Sequence, residues 1–477
     1  MNIDEAKIER IVGEVVRRVQ ELQEQQRKPS ASGAPQAAGA TKGPGIFETV
    51  DEAVAAARQA FTALGEMGLA GREKAVAGIR SAGRASAQET ARLAVEETGM
   101  GRFEHKVIKN EAASDLTPGA ELLATETLSG DKGVMLTERT PFGVILAITP
   151  STNPTSTVIS NAIAMVAAGN AVVFSPHPGA ARCTIRQIEV LNNAIVGAGG
   201  PASLLTTVSE PSLRVVVEAM KHPGIDLICA TGGAAVVRAA LESGKKTVAA
   251  GPGNPPVIVD ETADLERAAR HIVEGAAFDN NIVCVCEKEI IALDRIADDL
   301  KREILRRGVV EVSAGDLPAV TRLLFGEDGQ LNRALVGRDA PVILRQAGIA
   351  ADNQVRLALA ETDESHPLVQ HEQLAPIIPF LRTRTFDEAV ALAIRAEQGF
   401  RHTAVIHSRD IERITKFGRA IRSTVFVANA PSYAWTGLEG EGYVSMTIAG
   451  ATGEGLTDCR TFTRRRHSVL SGHLRMA

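Results

Sequence analysis

An α/β fold, with parallel sheet covered by helices on both faces, is what the sequence predicts, and three observations carry it. The strand-length runs 144–149, 171–175 and 227–231 are close to apolar throughout instead of alternating, as strands buried on both faces must be. Helix-length segments at 155–168 and 181–196 stand beside them, and parallel strands need such crossovers. The length of 477 residues exceeds what one hydrophobic core serves, so two or three domains are expected. In such folds ligands bind beyond the carboxyl ends of the strands.

The chain opens with a separate unit over 1–23. Ile8, Ile11, Val12, Val15, Val16, Val19 and Leu22 recur at three- and four-residue steps, with charged residues of both signs between them. That is the pattern of a short amphipathic helix. Residues 24–45 have linker composition, with Pro, Gly and small residues and no apolar period. A helix on such a tether buries its stripe against a partner, or else folds back on the body. Its polar face is not dominated by Lys and Arg, as that of a membrane-surface helix would be.

From Phe47 to about Glu121 the pattern is helical and Ala-rich. Past Leu136 strands and helices alternate, with 204–208 and 247–250 continuing the strand series. A second α/β block runs from about Pro256 to Ser432; helix 386–397, strand 403–407, helix 411–421 and strand 424–428 are its clearest parts. The tail, with Gly440, Gly442, Gly450, Gly453 and Gly455, reads as loops before a final strand over 460–470.

Composition excludes several classes. Apolar residues at 44% beside 23% charged residues describe a globular protein, and a net charge of −5 gives no electrostatic case for nucleic acid. The one compact basic cluster, Arg464-Arg465-Arg466-His467, has no aromatic interleaving and reads as a strand edge or a subunit contact. Five cysteines without framework spacing argue for a reducing compartment. Cys284 and Cys286 form C-x-C, not C-x-x-C, so no zinc is expected. No apolar run of about 18 residues exists to span a membrane, and the N-terminus lacks the apolar stretch of a secretory signal.

The segment Phe278-Asp279-Asn280-Asn281-Ile282-Val283-Cys284-Val285-Cys286 places a thiol between a helix-like run and the strand-like 289–293. A cysteine at such an edge faces a cleft while its backbone is held by the core, the setting a nucleophilic thiol needs. Cys286 becomes a rival if the loop is extended. No G-x-G-x-x-G follows a strand; the turn Ala230-Thr231-Gly232-Gly233-Ala234 is the best local substitute for a pyrophosphate-binding loop, although strand-to-helix turns use Gly for structural reasons too.

Taken together, Phe278-Asp279-Asn280-Asn281-Ile282-Val283-Cys284, Thr149-Pro150-Ser151-Thr152-Asn153-Pro154-Thr155, Thr231-Gly232-Gly233 and Glu372-Gln373-Leu374-Ala375-Pro376 occur in the order found in the aldehyde dehydrogenase superfamily. The chain resembles its coenzyme A-acylating branch over roughly 46–470, and the N-terminal helix and tether look like the encapsulation peptide of microcompartment propionaldehyde dehydrogenases.

The resemblance implies a Rossmann-type NAD-binding domain over 46–252, with 123–139 contributing to oligomerisation. It implies an α/β catalytic domain over 253–435, and a return over 436–477 to the cofactor domain and an oligomerisation strand. Cys284 matches the nucleophile, which would attack the aldehyde carbonyl to give a thiohemiacetal; hydride would pass from that carbon to NAD, leaving a thioester whose acyl group coenzyme A would take by thiol exchange. Asn153, or Thr152, would donate to the oxyanion beside the Cys284 backbone N–H; capping of the following helix is the alternative for both. Thr149, Pro150, Ser175, His177, Thr231, Gly232, Gly233 and Glu372 match cofactor-binding positions, Glu372 at the nicotinamide ribose.

Two departures from the family pattern speak to function. Hydrolytic members carry a glutamate base where Ala250 of Ala250-Gly251-Pro252-Gly253-Asn254 stands here. Without it the thioester should persist until a thiol arrives. Phe174-Ser175-Pro176-His177-Pro178 lacks the Lys and Glu that many relatives place on the adenosine ribose, so NAD leads over NADP only through the resemblance. The expectation is a cytoplasmic CoA-acylating aldehyde dehydrogenase of a microcompartment lumen, a homodimer or homotetramer. It would act on propionaldehyde ahead of acetaldehyde and meet a shell protein through 1–23. The alternatives are a hydrolytic dehydrogenase, or an inactive scaffold or cargo adaptor.

Overall fold

The computed structural model describes residues 43–326 and 329–474; the amphipathic helix and nearly all of the linker expected at the N-terminus lie outside them. Its strands, in chain order, are β1 (Ile46–Phe47), β2 (Glu126–Gly130), β3 (Gly133–Pro141), β4 (Val144–Ile148), β5 (Ala171–Ser175), β6 (Leu205–Val208), β7 (Leu227–Thr231), β8 (Thr247–Ala250), β9 (Pro256–Val259), β10 (Glu289–Leu293), β11 (Val310–Val312), β12 (Ala358–Glu361), β13 (Ile377–Thr383), β14 (Thr403–His407), β15 (Val425–Ala428), β16 (Ile448–Ala449), β17 (Gly455–Leu456) and β18 (Thr463–Ser471).

Two parallel sheets carry the molecule. The first has the order β1-β6-β5-β4-β7-β8, and the second β11-β12-β13-β10-β9-β14-β15. All five residues of β4, of β5 and of β10 are buried, which is why these runs lack alternation. In the second sheet the period of two is visible in the packing. Val257, Val259, Ile290 and Ala292 face a core shared with helix Leu265–Ala276. Ile258, Ile291 and Leu293 face one shared with helix Phe386–Glu397. A third, antiparallel sheet, β18-β3-β2, stands apart from both. Its β18 edge displays Arg464, Arg465, Arg466 and His467, all exposed.

One reading needs correction: Ile46–Phe47 is not the start of the helical region but a strand that pairs in parallel with β6 through Thr207 and Val208. The first helix, Val50–Glu66, begins behind it with a capping box, Thr49 and Glu52 exchanging hydrogen bonds.

The segment that most directly positions chemistry is helix Pro154–Ala167. Pro154 occupies its first turn, where a missing N–H is harmless, and all fourteen of its residues are buried. A helix buried all round is held by packing on every face, so the residue at its entrance, Asn153, sits on a rigid support.

Candidate active site

Cys284 lies between helix Leu265–Ala276 and β10 on a loop that winds instead of extending. Asp279, Asn280 and Asn281 are left-handed in succession, with φ of 47°, 54° and 65°. Non-glycine residues there cost about 1–3 kcal/mol each and persist only where the surroundings over-determine them. The surroundings do so through side chains that are all buried. Asn280 Nδ2 donates to Gly337 O and to Asp339 Oδ1, each at 2.9 Å. Asn281 Nδ2 donates to Ala276 O at 2.8 Å and Glu287 O at 2.9 Å, and its Oδ1 accepts from Lys288 Nζ at 2.6 Å. The Asp-Asn-Asn run is there because Asp and Asn tolerate this conformation and can also pin it.

Cys284 is half-buried, whereas Cys286 is buried with its Sγ against Phe278 O at 3.6 Å. Because the loop winds, the two thiols do not share a face, and Cys286 is a core residue. Burial pushes the Cys284 thiol up to about 12, with the Glu372 carboxyl adding and Lys288 and Lys109 opposing. At neutral pH the thiol is therefore protonated, and its use as a nucleophile requires a base.

Asn153 precedes helix Pro154–Ala167 but makes no capping hydrogen bond with its side chain, so the capping alternative does not hold for it. Its Oδ1 accepts from Lys109 Nζ at 2.6 Å, and its Nδ2 donates to Thr152 Oγ1 at 3.2 Å. Thr152 Oγ1 is thus the acceptor of the pair, and one Nδ2 N–H of Asn153 is left over. The Thr152 carbonyl in turn accepts from Lys106 Nζ at 3.1 Å.

The cofactor candidates collect along one edge. In the first sheet's register Ile148 is level with both Ser175 and Ala230, and Thr231 with Ala250. The ends of β4, β5, β7 and β8 therefore present Thr149, Pro150, Ser175, Thr231 and Ala250 together. Thr149 Oγ1 and Ser175 Oγ are buried there with no hydrogen-bond partner among the described residues. Gly232 and Gly233, entering helix Ala234–Glu242, would meet nothing within 4 Å if each carried a Cβ. Orphaned hydroxyls beside an open helix N-terminus fit a pyrophosphate-bearing dinucleotide. Thr231 is committed to Thr447 by a 2.8 Å hydroxyl bond, and His177, exposed, turns its Nδ1 back to Gly179 N at 3.0 Å.

Glu372 is close enough to Cys284 for its carboxyl to act on the thiol. Burial raises the Glu372 pKa, and Lys288, then the Gly253 backbone, work against that rise. Gly253 itself leaves no room: a Cβ there would lie 2.7 Å from Cys284 O and 2.9 Å from His402 Cγ. The stretch from Ala250 to Asn254 therefore runs alongside Cys284 and brings no carboxylate to it.

Three residues of this site escape sequence reasoning: Lys109, Lys288 and His402. His402 is fully buried; that burial, then Lys288, pushes it down to about 4. Its Nδ1 pairs with Thr403 Oγ1 at 2.9 Å and its Nε2 has no partner among the described residues. It is a neutral imidazole with a free nitrogen. No local pattern marks Lys109, because the groups that bury it, Asn153 and Asp279, are distant in sequence.

Comparison with known proteins adds to this geometry. Residues 33–319 match the aldehyde dehydrogenase family. The acetylating acetaldehyde dehydrogenase EutE of Salmonella typhimurium is 46% identical over 432 residues, 89% of this chain and 92% of its own. A propionaldehyde dehydrogenase from the Clostridium phytofermentans fucose utilisation bacterial microcompartment superimposes with a TM-score of 0.89 at 43% identity, covering 91% of this chain and 100% of that one. The Rhodopseudomonas palustris propionaldehyde dehydrogenase, solved with bound CoA and an acylated cysteine, gives 0.88 at 45% identity, covering 90% and 98%. With the family match spanning more than half of its length, and relatives this similar, the chain belongs to the aldehyde dehydrogenase family.

Proposed function

We propose that this protein oxidises a short-chain aldehyde to its acyl-CoA through a thioester on Cys284, with propionaldehyde preferred to acetaldehyde. One observation carries the acylating outcome: the loop packed against Cys284 O is Gly253 and its neighbours, with Ala250 where a hydrolytic enzyme would hold its base. Water then lacks the carboxylate base that hydrolytic members place there, whereas the thiol of coenzyme A is nucleophilic with little help. The acylated cysteine in the Rhodopseudomonas palustris structure with CoA supports the same order of events.

Cys284 Sγ bonds to the aldehyde carbon and its proton leaves for a base. His402 Nε2, neutral and unpartnered among the described residues, is suited to take it. The remaining Asn153 N–H and the Cys284 backbone N–H receive the oxyanion. Thr149, Ser175, Thr231, Gly232, Gly233 and Glu372 would hold NAD, which would supply the hydride acceptor. The Cys284 thioester is then attacked by the coenzyme A sulfur, and Sγ leaves with the acyl group transferred.

Glu372 favours a second reading. Its carboxyl, whose pKa burial raises and which is close enough to raise the Cys284 pKa, is a group that a hydrolytic enzyme would use on water. NADH formation from propionaldehyde with and without coenzyme A separates the two. CoA-dependent turnover to propionyl-CoA supports acylation; equal turnover without CoA, giving propionate, establishes hydrolysis.

The Clostridium phytofermentans relative comes from a microcompartment, and the same setting is proposed here, with the protein a homo-oligomer tethered to a shell protein through 1–23. Deleting 1–23 should leave activity intact and end co-purification with shell proteins; lost activity would rule that role out.

A further inference from the structure

Behind Asn153 lies a charge cluster for which the proposed chemistry names no role. The Asp279 side chain is 0% exposed and holds two lysines of helix Phe103–Leu116. Lys106 Nζ lies 3.2 Å from its Oδ2, and Lys109 Nζ is in closer contact with the same oxygen. The lysine side chains are themselves 3% and 5% exposed. Burial works to raise the Asp279 pKa, but the two ammonium groups and a bond from Arg102 N hold it below the ordinary carboxylate value. That bond reaches Oδ1 at 2.7 Å, and the Asp279 N–H donates to His105 Nδ1 at 2.8 Å. One carboxylate thus ties together the helix, the nucleophile loop and, through Lys106 on Thr152 O and Lys109 on Asn153 Oδ1, the loop before helix Pro154–Ala167.

Two consequences follow from the chemistry of these groups. An ammonium only donates, so the Asn153 atom facing Lys109 is the carbonyl oxygen, and the amide NH2 is turned the other way. The cluster also sets two lysines around one carboxylate, with all three side chains nearly fully buried. Such an arrangement is poor at stabilising a fold, and burial pushes Lys109 down to about 8 in spite of Asp279. It is well suited to stabilising negative charge that appears nearby only during reaction.

We propose that Lys109 is a positioning residue for acyl transfer: it fixes the Asn153 amide with its N–H toward the reacting oxygen and, through that amide, strengthens the hydrogen bond to the oxyanion. The inference rests on Asn153 being the oxyanion donor. Both the thiohemiacetal and the tetrahedral adduct formed with coenzyme A carry that oxygen, so both half-reactions depend on Lys109.

A mutant cycle tests it. The wild type, Lys109→Met, Asn153→Ala and the double variant are compared by NADH formation with propionaldehyde, NAD and coenzyme A. Asn153→Ala should lower kcat by about 100- to 1,000-fold, as loss of one oxyanion donor does. Lys109→Met should lower kcat by about tenfold or more while the KM values for NAD and coenzyme A move less than about threefold. The double variant should be no slower than Asn153→Ala alone, because Lys109 then has nothing to position. Equal losses from Lys109→Met in both backgrounds, or a Lys109→Met kcat close to wild type, would overturn the inference and leave the role of Asn153 standing. An unimpaired Asn153→Ala would overturn both. If Lys109→Met aggregates, Lys109→Gln takes its place in the same cycle, and equal losses in the two backgrounds again refute the proposal.

Discussion

The two sides of this site are built on opposite plans. Around Cys284, three consecutive left-handed residues are locked by buried hydrogen bonds, and Gly253 is packed too closely for a Cβ. Along the first sheet's edge, Thr149 and Ser175 have buried hydroxyls with no partner among the described residues, and Gly232 and Gly233 face open space. In the proposed chemistry the first side would have to hold its geometry while bonds form and break on it. The second is completed by what binds to it. The side around Cys284 is therefore closed and rigid, and the sheet edge is left open to a ligand.

The sharpest way to break that contrast is to remove the anchor of the rigid side. Asp279→Ala strands two buried lysines, and loss of one member of a buried ion pair costs about 3–5 kcal/mol. Thermal unfolding should show a large drop. Asp51→Ala, which removes a partner 85% exposed to solvent from His222, should lose less than about 1 kcal/mol. Similar losses from the two would mean that the buried cluster does not anchor the loop. Next in size is Gly253→Ala. The added methyl must displace Cys284 O or the His402 ring, and overpacking of this kind costs about 1–3 kcal/mol. Because the displaced atoms belong to the site, kcat should fall further than stability alone explains; a variant with normal kcat would show that the packing there is incidental.

A pH-dependent effect follows from His402. Folding pushes its pKa down to about 4 from an ordinary 6.5. Below pH 6.5 the unfolded chain takes up a proton that the folded one refuses, so stability falls as pH drops from 6.5 toward 4. The slope contributed is at most about 1.4 kcal/mol per pH unit. The raised carboxyls Glu287 and Glu372 act in the opposite sense as pH rises, so the difference between proteins is the clean measurement. His402→Gln should lose less stability than wild type between pH 6.5 and 4, and parallel curves would place the imidazole in a solvated environment.

What the sequence disclosed divides along the same line. Strands β4, β5 and β7 are legible because burial on both faces removes alternation, and the glycines after β7 announce a turn. Ile46–Phe47, two residues long, is too short to leave a period. The Asp-Asn-Asn segment is legible as a family pattern, but its reason is not: left-handed backbone leaves no periodic trace. Lys106 and Lys109 look like the solvent face of a helix until Asp279, 170 residues beyond Lys109, closes on them. Buried charge is set by contacts across the fold, and no window of sequence contains both partners.

The smallest effect on stability belongs to the open side, and it sharpens the comparison most. Ser175→Ala and Thr149→Val remove hydroxyls that bond to nothing among the described residues, so no intramolecular hydrogen bond is lost with them. Unfolding of the ligand-free protein should shift by less than about 0.5 kcal/mol, or rise slightly, since a buried unsatisfied group is itself unfavourable. In the proposed function the same hydroxyls are where a bound dinucleotide would find its partners. A neutral hydrogen bond contributes about 0.5–1.5 kcal/mol, so the KM for NAD should rise about two- to twelve-fold in each variant, with the KM for the aldehyde unchanged. Loss of stability without loss of NAD affinity would mean that these hydroxyls serve the sheet, and that the cofactor edge is as self-sufficient as the nucleophile loop.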